Sequence, residues 1–280
     1  MRLIVHGDDF GLSDSINDGI VRAHAHGILT STSLIASGAA FEHAVALARK
    51  HPRLDLGVHL TLTEQRPVSS PDSVPSLLAD GERLWPDRRE FLKRFLRGTI
   101  AIDEVALELN AQVARVLDRG VRVTHFDGHE HLHVLPGIRH EVAALARRHG
   151  IRFVRRPQER LRPFMLGDVR RLGRTAAMVS LNLVCQFPRQ WGAVTTDHFV
   201  GFYFGGRLCK RNLMTMIMSL PKSGSCEMMC HPGSDTTELP HDAGVYQRVA
   251  ECDALCDPDV LRELNRRGIE LVSFADLAQD

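Results

Sequence analysis

The chain has 280 residues, 44% of them hydrophobic and 25% charged, the composition of a soluble globular protein with enough apolar material for one sizeable core. Lys and Arg number 35 against 34 Asp and Glu, a net charge of +1, so no overall field draws it to nucleic acid or to an anionic membrane surface, and recognition has to come from a local site. No window approaches the roughly 20 apolar residues of a membrane span, and two aspartates stand where a secretory signal would need its apolar segment, so a cytoplasmic protein is expected.

Residues 2–6 read as a first strand that runs into HGDDFG, residues 6–11. Two adjacent carboxylates, Asp8 and Asp9, repel each other unless something positive lies beside them, and they can address one site only if the chain turns there, which Gly7 and Gly11 permit. Capping of the following helix is the plainer role for the pair, although Ser13 or Asp14 already suits it. That helix spans 15–26, with Ile16, Ile20 and Ala23 on one face. A second strand covers Thr30 to Ile35, a helix about 40–50 follows with Phe41, Ala44, Val45 and Ala48 in phase, and Leu54 to Leu62 is a third strand. Pro67, Pro71, Pro75 and Pro86 make the next segment an irregular excursion. Helical phase returns over 101–118 and ends at Gly120; Val121 to Phe126 is a strand, 137–149 a helix closed by Gly150, and Ile151 to Val154 a further strand.

From 156 to 220 the pattern blurs, through Arg-rich turns, the run AAMVSLNLVCQF at 176–187 and the aromatic stretch HFVGFYFGG at 198–206. This reads as an insertion that shapes a binding surface. The 176–187 run suits a plain core helix better than a lipid contact, and at 12 residues it is too short to span a bilayer. Order resumes with Cys226 to Cys230 as a strand, a polar loop from His231 to His241, a helix over 257–267 and IELVSFADL as a last strand and turn. All six cysteines follow residue 184; the spacing of Cys226 with Cys230 and of Cys252 with Cys256 is unusual for a zinc site, so buried reduced thiols are expected. Strands alternating with helices predict a single α/β domain over 1–280 built on a mainly parallel sheet, an imperfect (β/α) barrel fitting best.

Ligands in such folds bind beyond the carboxyl ends of the strands. Strand one delivers Asp8 and Asp9 there, strand three His59, the strand from 121 delivers HFDGHEHLH, and the strand from 226 delivers His231. Carboxylates and imidazoles from four strand ends suit a divalent metal better than any other common arrangement, the metal being the positive partner that the aspartates need. Within the cluster His125, Asp127, His129, His131 and His133 share one parity, so spacing alone does not choose the ligand.

These segments resemble the YdjC family of carbohydrate deacetylases, which includes chitooligosaccharide deacetylases and hopanoid-biosynthesis-associated members. The matching pieces are DDFGLS (8–13), GILTSTSL (27–34), GVHLTLT (57–63), THFDGHEHLH (124–133), EMMCHPG (227–233) and RVAECDAL (248–255), in order along nearly the whole chain, with 156–220 matching least. The resemblance implies a distorted barrel of parallel strands, one divalent ion held by Asp9, His59 and His129, Asp8 as catalytic base and His231 as candidate general acid. Asp127, His131, Arg248 and Glu251 are substrate-binding or supporting residues, with an Arg248 tether on Asp8 and a plain structural ion pair as equal readings of the last two. The substrate class is an N-acetylated amino sugar, free or as a lipid-linked glycoside met at the inner membrane face, and a homodimer is common in look-alikes. The donor set suits zinc, manganese, cobalt or nickel, whereas family members are often assigned magnesium. The same ligands would serve a metal-dependent phosphoesterase or glycosidase, and a sugar-binding protein without catalysis is the remaining alternative.

Overall fold

The first strand, β1 (Arg2–Phe10), is buried along nearly its whole length and becomes the central stave of one curled parallel sheet. The computed structural model describes residues 1–186, 192–235 and 246–279. In chain order the elements are β1, α1 (Asp14–His26), β2 (Ser31–Leu34), α2 (Phe41–Lys50), β3 (Asp55–Leu60), α3 (Arg88–Leu96), α4 (Ile102–Leu117), β4 (Val123–Gly128), α5 (Ile138–Arg148), β5 (Phe153–Val154), α6 (Pro163–Leu166), α7 (Leu172–Gln186), β6 (His198–Val200), α8 (Lys210–Met218), β7 (Ser225–Cys230), α9 (Arg248–Leu255), α10 (Pro258–Arg266), β8 (Glu270–Leu271) and α11 (Phe274–Leu277).

The sheet runs β5-β4-β3-β2-β1-β7-β6, every ladder parallel. β7 pairs with β1 from Arg2 to Gly7, while β8 takes residues 2–3 and β2 residues 6–10. The two outer strands, β5 and β6, share no ladder; isolated bridges join each to the segment flanking the other, Phe153 of β5 to Val194 and Phe199 of β6 to Glu159. The expected distorted barrel is therefore a curled sheet with one seam. Helices cover its outside through the predicted stripes: Ile16, Ile20 and Ala23 of α1, Ala44, Val45 and Ala48 of α2, and Val105, Leu109, Val113 and Val116 of α4 are all buried.

Two polar residues share the buried face of α4. The Glu108 carboxylate accepts the N–H groups of Val68 and Ser69, both at 2.9 Å, and the Gln112 amide bonds both backbone groups of Thr61. These bonds pin the proline-rich excursion, which contains two short 3-10 turns, to the helix. The region read as an insertion is more than that: it supplies β6 to the sheet, and its helix α7 buries only Thr175, Met178 and Cys185 while Val179 and Leu183 stay exposed, so α7 is a surface helix and not a core one. Phe187, at the end of that run, and residues 236–241 of the polar loop lie outside the described residues. Of the cysteines, Cys185, Cys226, Cys230 and Cys252 are buried free thiols.

Candidate active site

Asp8 and Asp9 part company because the backbone turns at Asp9 itself. Its φ is +72°, a left-handed conformation that costs a non-glycine residue about 1 kcal/mol or more, and the pairing of β1 with β2 slips between Gly7 and Phe10. Gly7, expected to permit the turn, is instead small for packing: a Cβ there would lie 2.8 Å from Leu29 Cδ1. Ser13 caps α1 by accepting the Ile16 N–H, so neither aspartate is needed for that.

The slip sends the Asp9 carboxylate towards two imidazoles. Asp9 Oδ1 lies 3.1 Å from His129 Nδ1 and 3.6 Å from His59 Nε2, and its Oδ2 accepts Arg248 Nη2 at 2.9 Å. One ligand atom from each of Asp9, His59 and His129 falls within 4.8 Å of the others. The far nitrogens of both rings face carboxylates: His59 Nδ1 meets Asp127 Oδ2 at 3.0 Å, and His129 Nε2 meets Glu64 Oε2 at 3.3 Å. Such outer carboxylates fix the tautomer and aim of metal-binding histidines. Burial alone would lower both rings, yet Asp127 raises His59, and Asp9 with Glu64 holds His129 well above the usual range; positive charge is favoured between them. Donor chemistry, spacing and electrostatics all fit a divalent cation.

His129 reaches this point because β4 stops at Gly128. The next residues turn tightly, with Glu130 and His131 at φ +53° and +60°. The common parity of the five residues from His125 to His133 is thereby broken. His131 turns away from the triad to pack on Phe199 and Phe202, its Nδ1 without a hydrogen-bond partner; His133 Nε2 bonds the Arg155 carbonyl at 3.0 Å.

Asp8 faces inward to a different cation. Arg155, fully buried just beyond β5, holds Asp8 Oδ2 with Nη1 and Oδ1 with Nη2, both at 2.7 Å. The same Nη1 lies 2.9 Å from Asp127 Oδ2, and Nε donates to Glu227 Oε1 at 2.6 Å. Burial would raise the Asp8 carboxyl, but the Arg155 guanidinium outweighs it and holds Asp8 well below the usual carboxylate range. A second grouping of His6, Asp8 and Asp127 also has metal-like spacing, but the guanidinium fills it. His231, at the end of β7, has its Nε2 4.0 Å from Asp8 Oδ2, and burial pushes its ring down to about 4, so it is neutral at pH 7. Glu251 accepts the backbone N–H of His231 at 2.7 Å and of Leu208 at 3.0 Å, and burial pushes its carboxyl up to about 7.

The YdjC-like protein family matches residues 2–266. The chain belongs to that family. Among this YdjC-like protein's curated relatives are a carbohydrate deacetylase of Brevibacillus brevis, 32% identical over 99% of this chain and 100% of that one, and a chitooligosaccharide deacetylase of Enterobacter sp. strain 638, 32% identical over 98% of each. A crystal structure of an Enterococcus faecalis V583 protein, assigned provisionally to cellobiose-phosphate cleavage, superposes with a TM-score of 0.75 at 25% identity, covering 99% of this chain and 98% of that one.

In this YdjC-like site Asp8, Asp9, His59, Asp127, His129 and His231 converge, and His131 lies at the margin. The arginine tether on Asp8 exists, but Arg155 supplies it; Arg248 binds Asp9 instead, because α9 approaches β1 from the side to which Asp9 turns. Sequence reasoning missed Arg155 although the rule of asking what each strand delivers would have found it, the residue directly following Val154. Glu227 and His6 were missed as well, since alternation inside a strand does not separate a polar interior from a solvent face.

Proposed function

We propose that this protein is a metal-dependent carbohydrate deacetylase, hydrolysing the N-acetyl group of an amino sugar or N-acetylated glycoconjugate to a free amine and acetate. The carrying observation is the convergence of Asp9, His59 and His129 beside an arginine-held Asp8, in a chain alignable over nearly its full length with proteins named as such deacetylases. A divalent ion bound by the triad supplies Lewis-acid polarisation of the amide carbonyl and a lowered pKa for bound water.

Asp8 takes the proton of the attacking water. Arg155 keeps that carboxylate ionised and fixes its plane through a two-pronged contact. Arg248 occupies the second oxygen of Asp9, leaving Oδ1 to face the imidazoles. His231, neutral at rest, becomes a proton donor after receiving the proton from Asp8, 4.0 Å away, and passes it to the departing nitrogen. The C–N bond breaks; the relayed proton ends on the amine, and the second proton of the water leaves on the acetic acid, which ionises to acetate.

A groove of about 270 Å³ beside the 129–131 turn, lined by Leu92, His131, Leu135, Leu181 and Phe202, supports a substrate with an apolar group attached, including a lipid-linked glycoside. No described helix is long and apolar enough to cross a membrane. The deciding experiment strips the protein of metal, reloads it with zinc, magnesium, manganese, cobalt or nickel, and assays free and lipid-linked N-acetyl sugars. Acetate release that requires the ion is expected. Release of phosphate or a reducing sugar without acetate would replace this reading with the phosphoesterase or glycosidase one, for which the provisional assignment of the Enterococcus protein is the supporting observation; tight binding without turnover would replace it with a binding protein.

A further inference from the structure

We infer that His6, His125 and Thr124 form a proton-ordered file through the sheet interior that fixes how Arg155 holds Asp8, making them positioning residues for the reaction proposed above. The file is continuous: Arg155 Nη2 lies 2.7 Å from His6 Nδ1, His6 Nε2 lies 2.8 Å from His125 Nε2, His125 Nδ1 lies 2.8 Å from Thr124 Oγ1, and the Thr124 hydroxyl donates to the Leu56 carbonyl at 3.2 Å.

The hydrogens are set from the Thr124 end. Carbonyl and carboxylate oxygens accept, so the Thr124 hydrogen goes to Leu56 or to the Asp55 carboxylate beside it, and its oxygen accepts from His125 Nδ1–H. Burial holds His125 well below the usual imidazole range, so its ring is neutral and, with the hydrogen on Nδ1, Nε2 is a lone pair. His6 Nε2 must then carry the hydrogen between the two rings. At the other end a guanidinium has five N–H groups, and Arg155 places them on Glu227, on both oxygens of Asp8, on Asp127 and on His6 Nδ1; that nitrogen also lies 2.9 Å from Asp8 Oδ1, which only accepts, so the order set from Thr124 is what leaves Nδ1 the lone pair for Arg155. Every donor points from Arg155 towards Leu56.

The rings have no freedom to rearrange. His6 and His125 are fully buried; His125 stacks on Phe274 with centroids 4.0 Å apart, and its Nε2 lies 2.4 Å from where a Cβ on Gly57 would stand. Removing the Thr124 hydroxyl strands His125 Nδ1–H in the interior, and an unmet buried donor is costly. Moving that hydrogen to Nε2 relieves it but forces the His6 hydrogen onto Nδ1. Nδ1–H would then face an Arg155 N–H across 2.7 Å, donor against donor, and turn to Asp8 Oδ1, 2.9 Å away, so that ring and guanidinium compete for that oxygen and the grip of Arg155 on Asp8 shifts.

The test is a long-range proton–nitrogen NMR correlation on the isotope-labelled, zinc-loaded full chain, with kinetics on an N-acetyl sugar alongside. The expected spectrum has His125 protonated at Nδ1 and His6 at Nε2. Thr124→Val is expected to move the His125 hydrogen to Nε2 and lower kcat about tenfold, the usual scale for an outer-shell partner, with KM and metal content unchanged, and Thr124→Ser to restore both. Any other tautomer pair in the wild type overturns the inference, as does a Thr124→Val protein whose tautomers switch without loss of kcat, or an equal loss in the valine and serine variants. The wild-type spectrum decides the ordering even where Thr124→Val does not fold. It requires no turnover, so a protein that releases no acetate sinks the activity reading and leaves the tautomers to be judged alone.

Discussion

Asp9 sits in a left-handed backbone conformation with its carboxylate aimed at two imidazoles, while Asp8, one residue earlier, lies in the strand and is gripped by Arg155. The different surroundings assign different work to identical side chains. Asp8→Asn preserves shape but cannot take a proton; it is expected to keep stoichiometric metal, measured by elemental analysis, and to lose on the order of 100-fold in acetate release. His59→Ala and His129→Ala remove donors, so metal content is expected to fall with activity, and full retention of metal in both would refute the triad. Arg155→Lys keeps the charge but not the planar fork, and one ammonium cannot satisfy Asp8, Asp127, Glu227 and His6 together; a loss of kcat with retained metal is the expected result, read by the same two assays.

Among the elements, those with an apolar run or stripe were legible: α1, α2, α4, α5 and α10, and strands β1 to β5, β7 and β8. The elements missed carry charge where the pattern expects grease. Helix α9 buries Arg248 and Glu251, and α3 buries only Phe91, so neither shows an apolar stripe. β6 has three residues inside an aromatic run, too short for alternation to register. The site was legible to the extent that strand ends carry His and Asp; its internal contacts, Arg248 to Asp9 and Arg155 to Asp8, depend on which way α9 and the end of β5 approach β1, which no local spacing encodes. Glu108 on α4 shows the same effect, a buried acid whose partners are backbone N–H groups 39 and 40 residues away. Glu108→Ala leaves the Val68 and Ser69 N–H groups without that acceptor; a loss of about 1–3 kcal/mol in urea unfolding is expected, with faster proteolysis within 67–86.

At the scale of the whole molecule, buried acids tie segments together and make stability depend on pH. Glu159 accepts the Tyr203 N–H at 2.9 Å, and burial pushes its carboxyl from an ordinary value of 4.5 up to about 7. The folded protein thus holds this proton more tightly than the unfolded chain. The stabilisation is fully present below pH 4.5 and is lost as pH rises through about 7, by on the order of 3 kcal/mol. Glu159→Gln, uncharged at every pH, is expected to lose less stability than the wild type between pH 5 and pH 8, as measured by urea midpoints; parallel pH profiles for the two proteins would contradict this.

Glu159 also stands at the seam, where its bridge to Phe199 and that of Phe153 to Val194 span two outer strands that share no ladder. A hoop of staves that is never welded shut tolerates changes in what spans the gap. The acids and imidazoles ride on β1, β3, β4 and the end of β7 and not on the two strands that bound that gap, so in the proposed deacetylase the stretch from 156 to 220 can be rebuilt to suit a new guest while those residues stay in place.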